Sequence, residues 1–181
     1  MKYHKELVLK NGQRCLLRHP VAADAQRILD HVILTSGETE NMARYADEFT
    51  MTEPQEALYL SELEASGDAI MISAELEGEI VANAGFNPVA KLDRCRHRAE
   101  LGISIRRSCW GLGIGTAIMQ ALIETAREAG YEQLELDVVE TNARALVLYE
   151  KMGFQSYGLR ENSFKYRDGH TAALRLMLLP L

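Results

Sequence analysis

The stretch Ile105-Arg106-Arg107-Ser108-Cys109-Trp110-Gly111-Leu112-Gly113-Ile114-Gly115-Thr116 decides the reading of this chain. An apolar strand ends at Ile105, a glycine-rich loop follows, and an amphipathic helix begins at Ile114. Such a loop turns several N–H groups toward one point, and the first turn of the helix adds unpaired donors and the positive end of its dipole. Glycine lets a diphosphate come close to the main chain, so phosphate binds here without basic side chains. A P-loop is excluded, because Thr116-Ala117 follows the last glycine where a Lys-Ser/Thr pair is required. A dinucleotide fingerprint fits poorly, since the spacing is Gly-x-Gly-x-Gly with Thr at 116, although Asp137 at the end of the next strand keeps it open. Glycines that only permit a tight strand-to-helix turn are the third reading of the loop taken alone.

Just before the loop, Ala99-Glu100-Leu101-Gly102-Ile103-Ser104-Ile105 alternates apolar with small or polar residues. That is the period of a half-exposed strand, and it puts Glu100 and Ser104 on one face. Just after it, Ile114, Ile118, Ala121, Leu122 and Ala126 form the buried stripe of a helix closed by Gly130. Leu134, Leu136 and Val138 alternate with charge in the next strand, and Ala145, Leu148, Tyr149 and Met152 line one side of a helix over 143–152 that ends at Gly153. Phe154 to Tyr166 and His170 to Leu179 flank the hairpin signal Asp168-Gly169. Toward the N-terminus, Ala69 to Leu76 and Ile80 to Phe86 form a hairpin about Glu77-Gly78. Thr52-Glu53-Pro54-Gln55 combines capping-box spacing with an early proline and predicts a helix with Ala57, Leu60 and Leu63 inward. Residues 36–53 show no clean period and predict a long loop or broken helix. Ala25, Ile28, Leu29, Val32 and Ile33 predict a first helix ending near Gly37, and Asn11-Gly12 predicts an opening hairpin.

A chain of 181 residues with net charge −6 is long enough for a sizeable core and lacks the broad basic surface that nucleic-acid binding needs. No repeat, low-complexity stretch or linker asks for a second domain, so residues 1–181 are expected to form one. No apolar run approaches the ~20 residues that span a bilayer, and the basic start leads only into Leu7-Val8-Leu9, which predicts a cytoplasmic protein without membrane contact. Cys15, Cys95 and Cys109 have no close pairing and are read as reduced thiols. His4, His19, His31, His97 and His170 show no ligand spacing, so no metal is expected.

The segment from Leu134 to Phe154 supplies the second half of the pattern. Gly111-Leu112-Gly113-Ile114-Gly115-Thr116, with Asn142 through Leu148-Tyr149-Glu150-Lys151-Met152-Gly153-Phe154, resembles the coenzyme A loop and the closing helix and strand of the GNAT superfamily of N-acetyltransferases. The resemblance is specific over about residues 99–154, and it departs at Trp110, where the family often carries Arg or Gln. It implies an α/β (α+β) fold: a mixed, mostly antiparallel, twisted sheet with helices on both faces and a parallel strand pair that splays. It also implies acetyl-CoA as cosubstrate. Main-chain atoms of Ile103 and Ile105 would meet the pantetheine arm, with Ser104 between them also counted in the coenzyme site, and Gly111, Leu112, Gly113, Ile114, Gly115 and Thr116 would hold the pyrophosphate. Asn142 would touch the coenzyme, and Tyr149 would stand near the thioester sulfur.

The chemistry explains why such residues are wanted. A protonated amine cannot attack a thioester, so a carboxylate or a water chain must take its proton, and Glu100 on the polar face of the strand is the candidate base. Tyr149 is the candidate acid for the departing thiolate, and N–H groups between Ile103 and Ile105 are placed to polarise the thioester carbonyl. The blander roles are a core tyrosine for Tyr149, an N-cap for Asn142 and a solvated or arginine-paired carboxylate for Glu100. The resulting expectation is direct transfer of an acetyl group to a primary amine: a small amine, polyamine, amino acid or protein N-terminus. Acceptor specificity would lie in the first two helices, residues 36–53 and the final hairpin, which also offers an edge for a homodimer. A non-catalytic acetyl-CoA-binding module and a dinucleotide-binding oxidoreductase are the rival readings.

Overall fold

The computed structural model describes residues Met1–Leu181. In chain order the elements are β1 (His4–Val8), β2 (Arg14–Arg18), α1 (Ala25–Glu38), α2 (Glu53–Ala65), β3 (Ile70–Leu76), β4 (Glu79–Pro88), β5 (Arg98–Ile105), α3 (Ile114–Glu128), β6 (Gln133–Val139), α4 (Ala143–Lys151), β7 (Gln155–Lys165) and β8 (Thr171–Pro180). The local signals act as their chemistry requires. Gly12 turns the first hairpin at φ +84°, and α2 opens where the Thr52 N–H donates to Gln55 Oε1 at 2.8 Å. The aperiodic segment between α1 and α2 holds a single short 3-10 turn, Ala46–Glu48.

All eight strands join one sheet in the order β1-β2-β3-β4-β5-β6-β8-β7. Every neighbouring pair is antiparallel except β5 with β6, which α3 connects as a crossover. The helices divide between the faces. α3 and α4 bring Ile118, Leu122 and Tyr149 to a core shared with Phe86, Leu134 and Met177, while α1 and α2 pack Ala25, Ile28 and Leu60 against Ile80. Each fully buried aliphatic side chain contributes roughly 1.5–3 kcal/mol, so the larger cluster anchors the sheet to α3. β5 begins at Arg98, one residue earlier than the alternation predicts, because Arg98, the end of the basic run Arg94-Cys95-Arg96-His97-Arg98, is drawn into the sheet by an ion pair with Glu135 of β6. β7 is an edge strand and leaves Tyr157 and Leu159 exposed. No helix is long and apolar enough to cross a membrane.

Candidate active site

β5 and β6 pair over only three residues: Arg98 with Gln133, Ala99 with Leu134 and Glu100 with Glu135. Beyond that point β5 follows β4 to Ile105 while β6 follows β8 to Val139, and the two strands part into a V. Arg98 pins the closed end, its Nη2 donating to Glu135 Oε2 at 2.8 Å. Antiparallel pairing on the other side of β5 fixes which main-chain groups face the opening. The Val89 N–H donates to the Arg98 carbonyl and the Arg106 N–H to the Val81 carbonyl. Even-numbered residues of β5 therefore turn their main chain to β4, and odd-numbered ones turn toward β6. From the Leu101 carbonyl to the Ile105 N–H, those odd groups have no strand partner. Inner sheet strands rarely leave such groups unpaired, so this stretch is an open main-chain clamp whose donors and acceptors are free to pair with an extended chain.

The structure corrects one member of that clamp. Ser104 shares the β4 ladder with Asn83, and its hydroxyl lies 2.9 Å from His31 Nε2, so it is turned away from the V. The Ile105 carbonyl is also engaged, accepting from Trp110 Nε1–H at 2.9 Å. Ile103 keeps both groups free, with the Leu101 carbonyl and the Ile105 N–H on either side. Strand parity alone would have picked out Leu101 and left out Ser104.

The glycine loop stands at the open end of the V. Gly111 (φ +82°) and Gly113 (φ +97°) occupy the left-handed region, and Gly113 is the N-cap of α3. The first bond of the helix runs from the Ala117 N–H to the Gly113 carbonyl at 3.1 Å, so the N–H groups of Ile114, Gly115 and Thr116 precede it and have no intrahelical acceptor. Gly115 is small for another reason: a Cβ there would stand 3.0 Å from Leu148 Cδ2 and 3.2 Å from Ile105 Cδ1. Its lack of a side chain lets α3 pack on α4 and β5. The hairpin tip between β1 and β2 folds over the loop, with the Lys10 N–H donating to the Leu112 carbonyl at 3.3 Å. The Lys10 side chain passes 3.8 Å from where a Cβ on Gly113 would be. Trp110 links the two lips of the V: Arg107 lies over its ring at 5.9 Å and Arg144, from the first turn of α4, at 4.9 Å. Nothing near Lys10 in the sequence marks it, because only the tertiary fold brings it to the loop.

α4 lines the V from behind. β6 and β7 are both antiparallel to β8 and so parallel to each other, and the helix between them runs back from the open end toward the closed one. Asn142 caps it, Oδ1 accepting the Ala145 N–H at 3.3 Å, which leaves the amide NH2 for a ligand. Tyr149 lies two turns, ~10 Å, further down. It is 6% exposed and its ring stands 5.8 Å from that of Phe154. Desolvation raises its pKa well above the ordinary phenol value, so it is protonated across the physiological range.

Glu100 and Ser104 point to the opposite face of the sheet, where α1 lies. Glu100 is exposed at the closed end of the V, ~13 Å along the strand from Ser104. Arg98 gives its guanidinium to Glu135 and not to Glu100. His31 is fully buried and its Nδ1 has no hydrogen-bond partner of good geometry. Burial first, and then the Arg106 charge, push its pKa down to about 4, so it is neutral at pH 7. A search for metal-ligand spacing passes over a lone histidine. The available signal was its position three residues after Ile28, on the buried side of an amphipathic helix.

On this face a cavity of about 670 Å³ lies between the end of α1, residues 39–48 and residues Ser163–Tyr166 at the end of β7. The tip of the β7–β8 hairpin is tied across it: Tyr166 Oη donates to the Glu40 carbonyl and the Arg167 N–H to Tyr45 Oη, each at 2.9 Å. Glu38 Oε2 accepts the Arg107 N–H at 2.7 Å and joins the cavity wall to the segment just after β5. The cavity thus adjoins the open end of the V from the side opposite α3 and α4.

Comparison with known proteins agrees with this geometry. Residues 39–154 match the model of the acetyltransferase (GNAT) family. The chain is similar to L-methionine sulfoximine/L-methionine sulfone acetyltransferase of Pseudomonas paraeruginosa, with 27% identity over 92 residues, 51% of this chain and 54% of that protein. It is also similar to the ribosomal protein bS18-alanine N-acetyltransferase of Escherichia coli K12, with 36% identity over 69 residues, 38% of this chain and 46% of that protein. The chain spans about half the length of these curated relatives. A solved acetyltransferase of the same family from Streptococcus pneumoniae superposes with a TM-score of 0.89 at 26% identity, covering 92% of this chain and 99% of that one.

Proposed function

The chain belongs to the acetyltransferase (GNAT) family, and from that premise we propose that it moves the acetyl group of acetyl-CoA directly to a primary amine. The observation that carries this reading is the V itself. Its unpaired main-chain groups from Leu101 to Ile105 lead from a phosphate-type cradle at the first turn of α3 toward a buried, protonated tyrosine. The fit to coenzyme A is one of donor type: free helix N–H groups for the pyrophosphate and a strand edge for the amides of the pantetheine arm. The bound thioester supplies an activated acetyl group.

The residues of the chain do the rest. Ile103 and the flanking β5 groups hold the arm extended, and N–H donors on this strand stabilise charge that develops on the thioester oxygen. Glu100, at the closed end toward which the arm points, takes the amine proton directly or through water, and no ion pair with Arg98 competes for its carboxylate. Tyr149 supplies a proton to the sulfur, a role suited to a phenol that burial keeps neutral. The named relatives act on an amino-acid analogue in one case and on a ribosomal-protein alanine in the other, which supports an amine acceptor without choosing its class. Thiol release from acetyl-CoA across a panel of amines, with calorimetry of acetyl-CoA binding beside it, tests the reading. Saturable binding and amine-dependent release are expected. Absence of binding would refute the proposal, and binding without release from any amine would make the protein a coenzyme-binding module.

A further inference from the structure

Beyond Glu100, β5 has a strand neighbour on one side only, so the peptides that carry the open groups of the V hang on the β4 ladder alone. Twist between paired strands varies over tens of degrees, so a strand held along one edge keeps freedom to roll about that edge. The roll decides where the Ile103 N–H and carbonyl point. On the face of α3 and α4 it is limited by the Ile105 side chain, whose Cδ1 stands 3.2 Å from where a Cβ on Gly115 would be. The opposite face offers three positions. Glu100 is exposed, and Gly102 has no side chain, a Cβ there meeting nothing within 4 Å. Only Ser104 reaches another element, its hydroxyl lying 2.9 Å from His31 Nε2 and 3.5 Å from the Asn83 carbonyl.

His31 is a costly choice for that place. It is 0% exposed and follows Ile28 and Leu29 on the buried side of α1, where an apolar side chain would leave no polar atom without a partner, as Nδ1 is left here. Burial, and then the Arg106 charge, keep the ring neutral at pH 7, so it is no counter-ion for a ligand. Sealed from solvent, it carries no proton to or from the V either. What remains is its bond to Ser104, and a local rule broken in this way marks a functional position. α1 is tied to the same strand a second time just past its end, where Glu38 Oε2 accepts the Arg107 N–H at 2.7 Å. The helix therefore grips β5 both within the V and at its open lip.

Resting on the acetyltransferase reading, we propose that His31 is a positioning residue for the coenzyme: through Ser104 it sets the roll of β5, and with it the aim of the Ile103 main-chain groups at the amides of the pantetheine arm. His31 touches neither the coenzyme nor the reacting atoms. The glycine loop, on the other face, holds the pyrophosphate independently of it.

That independence supplies the test, calorimetry with acetyl-CoA and with adenosine 3′-phosphate 5′-diphosphate, the part of the coenzyme that lacks the pantetheine arm. Ser104→Ala and His31→Leu are each expected to weaken acetyl-CoA binding by about fivefold, the scale of one hydrogen bond, and binding of the nucleotide by less than about twofold. Combining the two should be little worse than either alone, since both remove the same bond. His31→Gln, whose amide replaces the ring nitrogen beside Ser104, should stay within about twofold of wild type for acetyl-CoA. Equal weakening of both ligands, unchanged acetyl-CoA affinity in Ser104→Ala, or His31→Gln as weak as His31→Leu would overturn the inference. If His31→Leu does not fold, Ser104→Ala, which removes a single oxygen, decides alone. Wild-type protein that binds the nucleotide no worse than acetyl-CoA would also overturn it, and wild-type protein that binds neither would strike the acetyltransferase reading as well.

Discussion

On one face of the sheet, α3, α4 and the glycine loop offer the V mainly main-chain groups: the N–H donors before Ala117, the unpaired edge of β5 and the cap at Asn142. On the other face, α1 and the segments around the cavity offer side chains: Glu100, His31, Ser36, Glu38 and Glu40. The first arrangement recognises a fixed chemical handle by backbone geometry and tolerates exchange of many side chains. The second is a set of titratable and hydrogen-bonding groups, so its properties change with each residue and with pH. A shared coenzyme on one side and a variable acceptor on the other would produce this division.

Tyr149 is the exception on the main-chain side, and it carries the largest expected effect. Tyr149→Phe should lower kcat about 10²- to 10⁴-fold while moving acetyl-CoA affinity little, because the ring stays packed against Phe154 and only the proton donor is removed. Stopped-flow thiol release with calorimetric binding separates the two. An unchanged kcat would return Tyr149 to the core and leave the coenzyme face with no side-chain chemistry.

The acceptor face should respond to pH where the other does not. His31 takes a proton near its ordinary 6.5 when unfolded but only near 4 when folded, since burial opposes its charge. The unfolded chain therefore binds more protons between these values, and stability is lost as pH falls through that window. Between pH 7 and 4.5 the loss should be about 2.5 kcal/mol, and His31→Gln should abolish it even if less stable at pH 7. Asp24 does not confuse the result: its pKa is held down to about 2, first by its hydrogen bond to Arg18, so its contribution fades only below the ordinary 3.8. Urea titrations at the two pH values give the slope, and equal slopes in both proteins would locate the effect elsewhere.

The same division explains what the sequence disclosed. The glycine loop, the α3 stripe, Asn142 and Tyr149 lie within one continuous stretch, and their positions follow from local spacing: three glycines, a helix start, a residue two turns on. The element order and all three hairpins were legible for the same reason, since Gly12 and its counterparts act within a few residues. Ser104 was misjudged because spacing says which residues lie on the strand, while the partner strand decides where each main-chain group points. The opposite face was legible only as segments: residues 36–53 and the final hairpin stood out as places for specificity, but no local spacing says which of their side chains meet. Glu40 and Tyr45 meet Tyr166 and Arg167 only through the docking of the hairpin tip, and Lys10 reaches Gly113 only through the docking of the first hairpin.

Backbone recognition itself is open to attack at Gly113. An L side chain at φ +97° costs roughly 1–2 kcal/mol, and relaxing that strain would turn the N–H groups of the first turn away from their common focus. Gly113→Ala should weaken acetyl-CoA binding by about tenfold in calorimetry. Trp110→Ala, which removes one bond to the Ile105 carbonyl and the link to Arg144, should do less. The reverse order would mean that the lips of the V, rather than the loop, set affinity.

Lys10 gives the smallest and most discriminating effect, because it is a side chain on the main-chain face. Its methylenes cross Gly113, and in a chain of net charge −6 its ammonium is a local exception beside a loop built for anions. The group is exposed, so screening limits its contribution, and Lys10→Ala should weaken acetyl-CoA binding by about threefold at low salt and scarcely at all near 0.5 M. Lys10→Arg should restore it. If the loss is instead equal at both salt concentrations, the charge is irrelevant and Lys10 acts by docking the β1–β2 tip on the loop through the packing of its stem on Gly113. The coenzyme face would then be recognition by backbone alone, and the contrast between the two sides of the sheet would be complete.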